Sequence, residues 1–304
     1  MQIFKKKTYI PKKFDGGLIE SPPDNRDYAL SSVSPVIQRY PEVCPRPFDL
    51  TISNQGQMPS CVGHSVAGMK QYLELQEKIS KDFDGNWLYQ ECKKIDGIPN
   101  IAGTYFRIGL EVLRKVGAKP IGENDPYPYR IETYARVDDN TFEGLKKAIF
   151  LYGVVLAGFR GSNQGWASET IRAPREGEAL WGHATFLTHY GKDYLGGQNS
   201  WGENAHNKGL FKVPANYLPF ESWVIVRDAV TDLNPQPIKT GWVAVNWIRN
   251  FNGTWKTTGR LNVREQAGTS FNIIKTLQAN TIIQLTGAPR EARNGFVWAE
   301  VIVV

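Results

Sequence analysis

The 304-residue sequence contains only three cysteines, Cys44, Cys61 and Cys92. An odd number cannot pair completely, so a full disulfide framework is excluded, and either a reducing site of synthesis or a leftover reactive thiol is expected. No stretch approaches the roughly 20 apolar residues that a bilayer-spanning helix requires. The N-terminus is charged but no apolar run follows it, so a secretory signal is not predicted. These absences predict a chain that is cytoplasmic at synthesis.

The excess of positive over negative charge is also small. The formal net charge is only +6, and the basic blocks are confined to residues 5–7 and 12–13. This balance gives no indication of a nucleic-acid ligand, although it is compatible with a weak attraction to an anionic surface. Because 41% of the residues are hydrophobic and 22% are charged, we expect a packed core, and the length allows two domains.

The most informative stretch is residues 55–65, a loop with glycine and proline that delivers Cys61 to a predicted helix start. After this cysteine, apolar residues recur every three or four positions, at Val62, Val66, Met69 and Leu73. That spacing predicts a helix over residues 61–79. A helix N-terminus and a nearby imidazolium can lower the pKa of a thiol from about 8.5 to roughly 3.5–7.5. Cys61 is therefore a candidate nucleophile, with a buried structural cysteine as the alternative.

The order of the predicted elements indicates an α+β domain. Helical spacing recurs at residues 105–116 and 141–152, and a glycine follows each segment. Short apolar or alternating runs then predict strands, at residues 154–159, 184–188, 194–195 and 209–213. Helices first and strands second suggest a helical half and a β half with a groove between them. Residues 161–182 lack apolar periodicity, so we expect a long surface loop near that groove.

Composition also predicts the domain boundaries. Residues 1–47 are rich in proline and charge and are expected to form an extended arm over a globular domain at residues 48–232. The arm is too short and too irregular for a folded inhibitory pro-domain. Pro235 and Pro237 mark a linker over residues 233–240. Residues 241–304 contain several short β-prone runs separated by turn residues, which predict a small all-β barrel or sandwich.

A nucleophilic cysteine needs a base that is close in space, and one histidine is well placed for that role. His183 opens a predicted strand beside the groove, whereas His206 lies in a polar loop and is expected to be solvated. Asn199 ends a neighbouring run and could accept from the imidazole, and Trp201 would shield that bond from water. Gln55 could donate its amide to a developing oxyanion. Taken alone, each of these residues could equally be structural.

Together these motifs resemble the papain-like cysteine peptidase family. The resemblance covers about residues 24–226 and is carried by Asn54-Gln55-Gly56, Ser60-Cys61, Gly103-Thr104-Tyr105, residues 125–129, His183-Ala184 and Asn199-Ser200-Trp201-Gly202. It implies that Cys61 is the nucleophile, His183 the general base and acid, and Asn199 the residue that orients His183. It also implies that Gln55 is the oxyanion donor. Trp201 would cover the His–Asn bond, and Gly103 would lie where the substrate backbone approaches closely.

The sequence departs from that family at three points. Met58 stands where the family usually has a second, disulfide-bonded cysteine, and Val62 stands where it usually has a tryptophan. The long inhibitory pro-region is also missing. The resemblance is therefore to a propeptide-less bacterial or phage type, and we expect an enzyme that is active once folded. No metal and no cofactor is implied.

The C-terminal segment resembles the bacterial SH3-like domain at Leu261-Asn262-Val263-Arg264, at Gly268-Thr269-Ser270 and at residues 295–301. This resemblance implies a module that binds or targets the bacterial cell wall, although a barrel that only stabilises its neighbour is the alternative. The domain pairing suggests an endopeptidase that cleaves peptidoglycan stem peptides or ordinary protein, such as a bacteriophage endolysin. Such a protein would be virion-associated or would act at the wall after release. A catalytically silent structural or binding component of a phage-like particle is the rival hypothesis.

Overall fold

The computed structural model describes most of the chain, at residues 16–34, 39–124, 126, 129–229, 240–251, 254–279, 281–285 and 291–302. The chain divides into two compact units, Met1–Thr231 and Asp232–Val304. The predicted linker prolines, Pro235 and Pro237, the two basic blocks near the N-terminus and much of the 125–129 motif lie outside the described residues. Within the described residues, no helix is both long enough and apolar enough to cross a membrane.

The helices described in the first unit are α1 (Leu30–Val33), α2 (Cys61–Gln76), α3 (Gly85–Ile95), α4 (Phe106–Lys115) and α5 (Phe142–Tyr152). The spacing argument predicts α2, α4 and α5 to within a few residues at each end. It does not predict α3. The start of α3 is nevertheless marked by Asp84, whose side chain caps the helix by accepting a hydrogen bond from the Trp87 N–H.

Helix α2 is the central helix of this unit. It packs against α3 and α4 on the helical side and against the sheet on the other side. Val62, Val66 and Met69 are all fully buried. Because the helix is buried on more than one face, its polar Lys70 is buried too, and the Lys70 ammonium is paired with Glu74 and Asp228 at 2.6 and 2.7 Å.

The strands described in the first unit are β1 (Ile131–Arg136), β2 (Val155–Gly161), β3 (Trp181–Tyr190), β4 (Tyr194–Gln198), β5 (Leu210–Pro214) and β6 (Glu221–Asp228). They form one antiparallel sheet in the order β1-β6-β2-β3-β4-β5. In this order the two outermost strands, β1 and β5, do not pair with each other. The expected barrel-like half is therefore wrong: the sheet is open, and helices α2 and α5 pack against its central strands.

The register of this sheet positions the predicted site. His183 lies near the start of β3, opposite Phe159 of β2. Phe186 of β3 pairs with Gln198, the last residue of β4. Because the strands are antiparallel, Asn199 comes next at the end of β4 that adjoins the start of β3, where His183 lies. The Asn199 N–H then donates to the Gly209 carbonyl at 2.9 Å, which anchors the loop that begins there.

The second unit is formed mainly of strands. Those described are β7 (Thr240–Ala244), β8 (Ile248–Phe251), β9 (Thr254–Thr257), β10 (Leu261–Arg264), β11 (Ile273–Leu277), β12 (Ile282–Leu285), β13 (Glu291–Arg293) and β14 (Phe296–Ile302). Their order is β11-β10-β7-β14-β12-β9-β8, and β13 pairs with β14. Its core includes Val243, Val263 and Val301. Among the described residues the outermost strands, β11 and β8, are not paired, so the expected closed barrel is corrected to an open sheet.

Candidate functional site

Cys61 is the first residue of α2, as the spacing predicts, and it is fully buried. The backbone N–H groups of Ala184, Val62 and Gly17 lie near its sulfur, where they favour the thiolate. Ala184 immediately follows His183 on β3. The N-terminus of α2 and the first half of β3 therefore meet at this thiol.

His183 and Asn199 form a direct hydrogen bond. The distance from His183 Nε2 to Asn199 Oδ1 is 2.8 Å, and both residues are buried. The same Asn199 oxygen accepts from the Ser200 N–H at 2.7 Å. An oxygen that accepts here requires the His183 hydrogen to be on Nε2, so this bond selects one tautomer of the ring.

Aromatic side chains enclose this hydrogen bond. The Trp201 ring stacks on His183 with centroids 4.8 Å apart and an interplanar angle of 29°. Trp166 meets His183 edge-on at 5.4 Å, and Trp181 does so at 5.8 Å. These rings exclude water from the His183–Asn199 bond, which strengthens it because the local dielectric constant is low.

The Gln55 side chain forms hydrogen bonds both with the loop before α2 and with Ser200, which follows Asn199. Its Nε2 donates to the Met58 carbonyl at 2.8 Å, and its Oε1 accepts from the Ser200 hydroxyl at 2.6 Å. The Met58 bond fixes which end of the amide carries the hydrogens, because a carbonyl oxygen can only accept. Because Nε2 has two hydrogens and the Met58 bond uses one, the side chain has a second hydrogen to donate.

Residues 16–19, called the arm from here on, lie directly over the thiol. The Gly17 and Leu18 N–H groups both donate to the Gly182 carbonyl, at 3.0 and 3.2 Å. On the other side, Thr104 N donates to the Gly17 carbonyl and Ile19 N donates to the Thr104 carbonyl, both at 3.0 Å. The arm thus bridges β3 and the loop before α4, and it pairs with Thr104 in the parallel sense.

Glycine is required where the arm and the site touch. A Cβ at Gly17 would lie 2.9 Å from Cys61 Sγ and 2.5 Å from the Pro59 carbonyl oxygen. Gly103, predicted to meet the substrate backbone, meets the arm instead: its φ is +86°, and a Cβ there would lie 2.4 Å from the Gly17 carbonyl oxygen. Gly17 therefore covers Cys61, whereas activity once folded stays a prediction.

This covering determines the charge state of the site. Burial raises the pKa of the Cys61 thiol to about 12, against the opposing effect of the nearby backbone N–H groups. Burial likewise lowers the pKa of His183 to about 3, although its bond to Asn199 acts in the opposite direction. Both shifts favour a neutral thiol and a neutral imidazole in the covered conformation. The charged pair favoured by the helix N-terminus requires access to water.

Solved structures of known proteases share the architecture of the first unit. Xylellain, a cysteine protease from Xylella fastidiosa, gives a TM-score of 0.59 at 23% identity, over 74% of this chain and 98% of that chain. Procathepsin L 3 from the larval midgut of Tenebrio molitor gives 0.53 at 16% identity, over 67% and 76% of the two chains. Procathepsin B S9 from Trypanosoma congolense gives 0.51 at 13% identity, over 74% and 87%. The fold is papain-like. No protein-family model and no curated protein sequence matches the chain.

Within this papain-like unit, the sequence does not predict the positions of two residues near the site. Trp166 lies in the stretch predicted to be a surface loop, yet it is fully buried and contacts four other aromatic rings at the site, Trp181, His183, Trp201 and His206. His206 is not solvated as expected: its Nε2 lies 2.8 Å from Asn199 Nδ2. Isolated residues in irregular loops have no periodicity, so no spacing rule identifies them. Only the unusual concentration of aromatic residues around the site hints at Trp166.

Lys93 of α3 is a third residue that the sequence argument misses. Its ammonium donates to the carbonyls of Ile98, Ile101 and Gly103 at 2.8, 2.9 and 3.1 Å. These three bonds hold the loop that carries Gly103 against the helical side. The edge of the groove is therefore fixed from a helix that the sequence does not predict.

Proposed function

We propose that the protein is a cysteine endopeptidase whose catalytic residues are Cys61, His183 and Asn199. The observation that carries this proposal is the enclosed 2.8 Å bond between His183 and Asn199, next to a cysteine at the N-terminus of α2. It is supported by the papain-like fold, since the solved structures that share it are cysteine proteases. No metal or cofactor takes part in the proposed reaction.

In the proposed reaction, Cys61 Sγ bonds to the carbonyl carbon of a peptide as its proton moves to His183 Nδ1. The C–N bond then breaks, and the same proton passes to the leaving amine. Water next attacks the thioester carbon, gives a proton to His183, and releases the carboxylic acid as the proton returns to sulfur. The role of Asn199 is to keep the Nε2 hydrogen in place, so that Nδ1 is the nitrogen that exchanges protons.

We assign Gln55 to the oxyanion that forms on the carbonyl oxygen. The support is its anchored amide, since the Ser200 hydroxyl and the Met58 carbonyl fix its orientation before any substrate arrives. A donor that is already oriented needs no reorganisation in the transition state. The Cys61 backbone N–H, at the start of α2, is the second donor in this assignment.

We further propose that the described conformation is a latent one. The arm blocks Cys61, and substrate can reach the thiol only after residues 16–19 leave the groove. The support is the complete burial of Cys61 beneath Gly17. This proposal is the alternative to the expectation that the absence of a long pro-region leaves the enzyme constitutively active.

The cell wall is the proposed destination, and the second unit is the proposed SH3-like targeting module. The support is a groove of about 180 Å³ on that unit, whose lining includes Trp247, Arg260, Arg264 and Phe296. Trp247 is 50% exposed, and exposed aromatic and arginine side chains are enriched at binding surfaces. Peptidoglycan stem peptides are then the proposed substrate, with ordinary protein as the alternative.

The test is to incubate the Leu18→Ala variant, in which the arm is weakened, with purified sacculi and separately with denatured casein. New amino termini are counted in each, and the Leu18→Ala/Cys61→Ala double variant is the control. Termini in sacculi that depend on Cys61 support a wall peptidase, and termini in casein alone support a general peptidase. If Cys61→Ala changes neither count, the proposed peptidase activity is wrong.

A further inference from the structure

The Asn199 amide is held at both ends by imidazole rings. Its Oδ1 lies 2.8 Å from His183 Nε2, and its Nδ2 lies 2.8 Å from His206 Nε2. The remaining His206 nitrogen, Nδ1, lies 2.8 Å from the Ser168 carbonyl oxygen. A carbonyl oxygen only accepts, so His206 Nδ1 must carry a hydrogen. In a neutral ring, Nε2 is then an acceptor, and it can be paired only with the NH2 end of the amide.

We propose that His206 is a positioning residue: together with the Ser200 N–H, which donates to Oδ1 at 2.7 Å, it fixes the orientation of the Asn199 amide, and through that amide it selects the Nε2–H tautomer of His183. This inference rests on the proposed peptidase function for its kinetic consequence. The chain of contacts runs from the Ser168 carbonyl through His206 and Asn199 to His183. Rotating the amide by 180° would place its NH2 group against the His183 Nε2 hydrogen and its oxygen against an acceptor nitrogen of His206.

The surroundings of His206 favour the neutral ring that this role requires. The His206 ring is stacked on Trp201 at 5.7 Å with an interplanar angle of 19°, and Phe211 lies at 5.6 Å. Burial lowers the pKa of His206, although the bond to the Ser168 carbonyl acts in the opposite direction. A doubly protonated ring would direct an N–H at the Asn199 NH2 group. The aromatic enclosure therefore keeps Nε2 an acceptor.

The backbone at His206 has a conformation that residues with a side chain seldom adopt. Its φ is +49°, in the left-handed region that few residues other than glycine adopt. Strain of this kind persists where surrounding structure holds it, and it is concentrated at functional sites. Here the strained turn is what brings an imidazole ring within reach of Asn199.

The first test reads the tautomers directly and needs no activity. The full-length protein is labelled with 15N-histidine, and the imidazole nitrogens are assigned with the help of single His→Gln variants. We expect His206 to be neutral with its hydrogen on Nδ1, and His183 to be neutral with its hydrogen on Nε2. A His206 ring with its hydrogen on Nε2 would overturn the inference whether or not the protein is a peptidase.

The second test compares His206→Phe with His206→Gln in the Leu18→Ala background. Phenylalanine keeps the aromatic packing and the backbone strain but removes the acceptor, whereas glutamine restores an acceptor and a donor. We expect His206→Phe to lower kcat about tenfold, the effect of one lost buried hydrogen bond, with little change in KM. His206→Gln should recover most of that loss.

The outcomes of these two tests distinguish the two proposals. The positioning role would be overturned if His206→Phe had the same kcat as the Leu18→Ala background. It would also be overturned if His206→Phe and His206→Gln lowered kcat equally. Lys208→Gly is the loop control, because Lys208 is exposed and also has a positive φ, 53°. We expect it to leave kcat unchanged. If the tautomers are as expected but Cys61→Ala does not affect hydrolysis, the peptidase function fails and the hydrogen-bond assignment stands.

Discussion

Leu18 is the side chain that holds the arm in the groove, and replacing it with alanine should uncover Cys61. Leu18 is only 6% exposed. Its Cδ2 lies over Gly158, where Phe106 and Phe220 also converge. Leu18→Ala removes about three methyl or methylene groups from this apolar contact, which costs about 2–3 kcal/mol at roughly 0.8 kcal/mol for each. The arm's hydrogen bonds to Gly182 and Thr104 are made by backbone groups and remain available.

A loss of that size shifts the equilibrium between covered and uncovered arm by about 30- to 150-fold. The assay is the rate at which iodoacetamide alkylates Cys61 in the full-length protein, followed by mass spectrometry of the cysteine peptides. When the arm opens and closes faster than the reagent reacts, this rate follows the uncovered fraction. Leu18→Ala should therefore label Cys61 about 30- to 150-fold faster than the wild type does.

Two controls separate opening of the arm from general unfolding. Cys92 is fully buried in α3, so its alkylation reports opening of the helical core. Leu30→Ala makes the same truncation at a residue that is 7% exposed and lies in α1, close to Asp138 rather than to Cys61. In Leu18→Ala, we expect the alkylation rate of Cys92 to rise much less than that of Cys61. In Leu30→Ala, we expect the alkylation rate of Cys61 to rise much less than it does in Leu18→Ala. If Cys61 of the Leu18→Ala variant is alkylated no faster than Cys61 of the wild type, the proposed role of the arm is refuted.

Three further predictions follow from the same contacts. Gly17→Ala places a Cβ 2.5 Å from the Pro59 carbonyl oxygen, so it should displace the arm and also speed Cys61 alkylation; labelling at the wild-type rate would contradict this. Asn199→Ala, made in the Leu18→Ala background, should lower kcat by about 100-fold or more, because His183 loses the bond that fixes its tautomer; a change confined to KM would argue against that role. Lys70→Met removes the ammonium that pairs with the buried Glu74 carboxylate and with Asp228, so it should lower the free energy of unfolding by about 3–5 kcal/mol in urea titrations, and adding Glu74→Gln should recover part of the loss.

The sequence predicts the parts of the site that lie on regular elements. Cys61 follows from the helical spacing after it, and His183 and Asn199 follow from the strand-like runs that they begin or end. The open sheet is less predictable, because the paired residues of β1 and β6 are at least 87 positions apart, as in Arg136 and Trp223, and their segments carry weak alternation. Closure of a sheet depends on the tilt and register of all its strands, which local patterns do not specify.

The position of the arm over Cys61 and the placement of His206 against Asn199 could not be predicted for a different reason. The arm is held largely by backbone hydrogen bonds to Gly182 and Thr104, and almost any sequence can make such bonds. Only the small size of Gly17 and the apolar side chain of Leu18 are particular to this site, and neither is informative without the partner surface. His206 lies in a polar loop whose composition indicates exposure. It is nevertheless half-buried, because Trp166 from a distant part of the chain and the nearby Trp201 pack against its ring.

The central claim is that Cys61 is the nucleophile of a peptide-bond hydrolysis that the arm suppresses. The most direct measurement is the rate of cleavage of a mixed fluorogenic peptide library by wild type, by Leu18→Ala and by Leu18→Ala/Cys61→Ala. We predict that Leu18→Ala cleaves faster than wild type by the same factor as its gain in Cys61 alkylation, and that the double variant has no cleavage above background. Cleavage that survives the loss of Cys61, or no cleavage by a variant whose Cys61 is alkylated rapidly, would contradict the account.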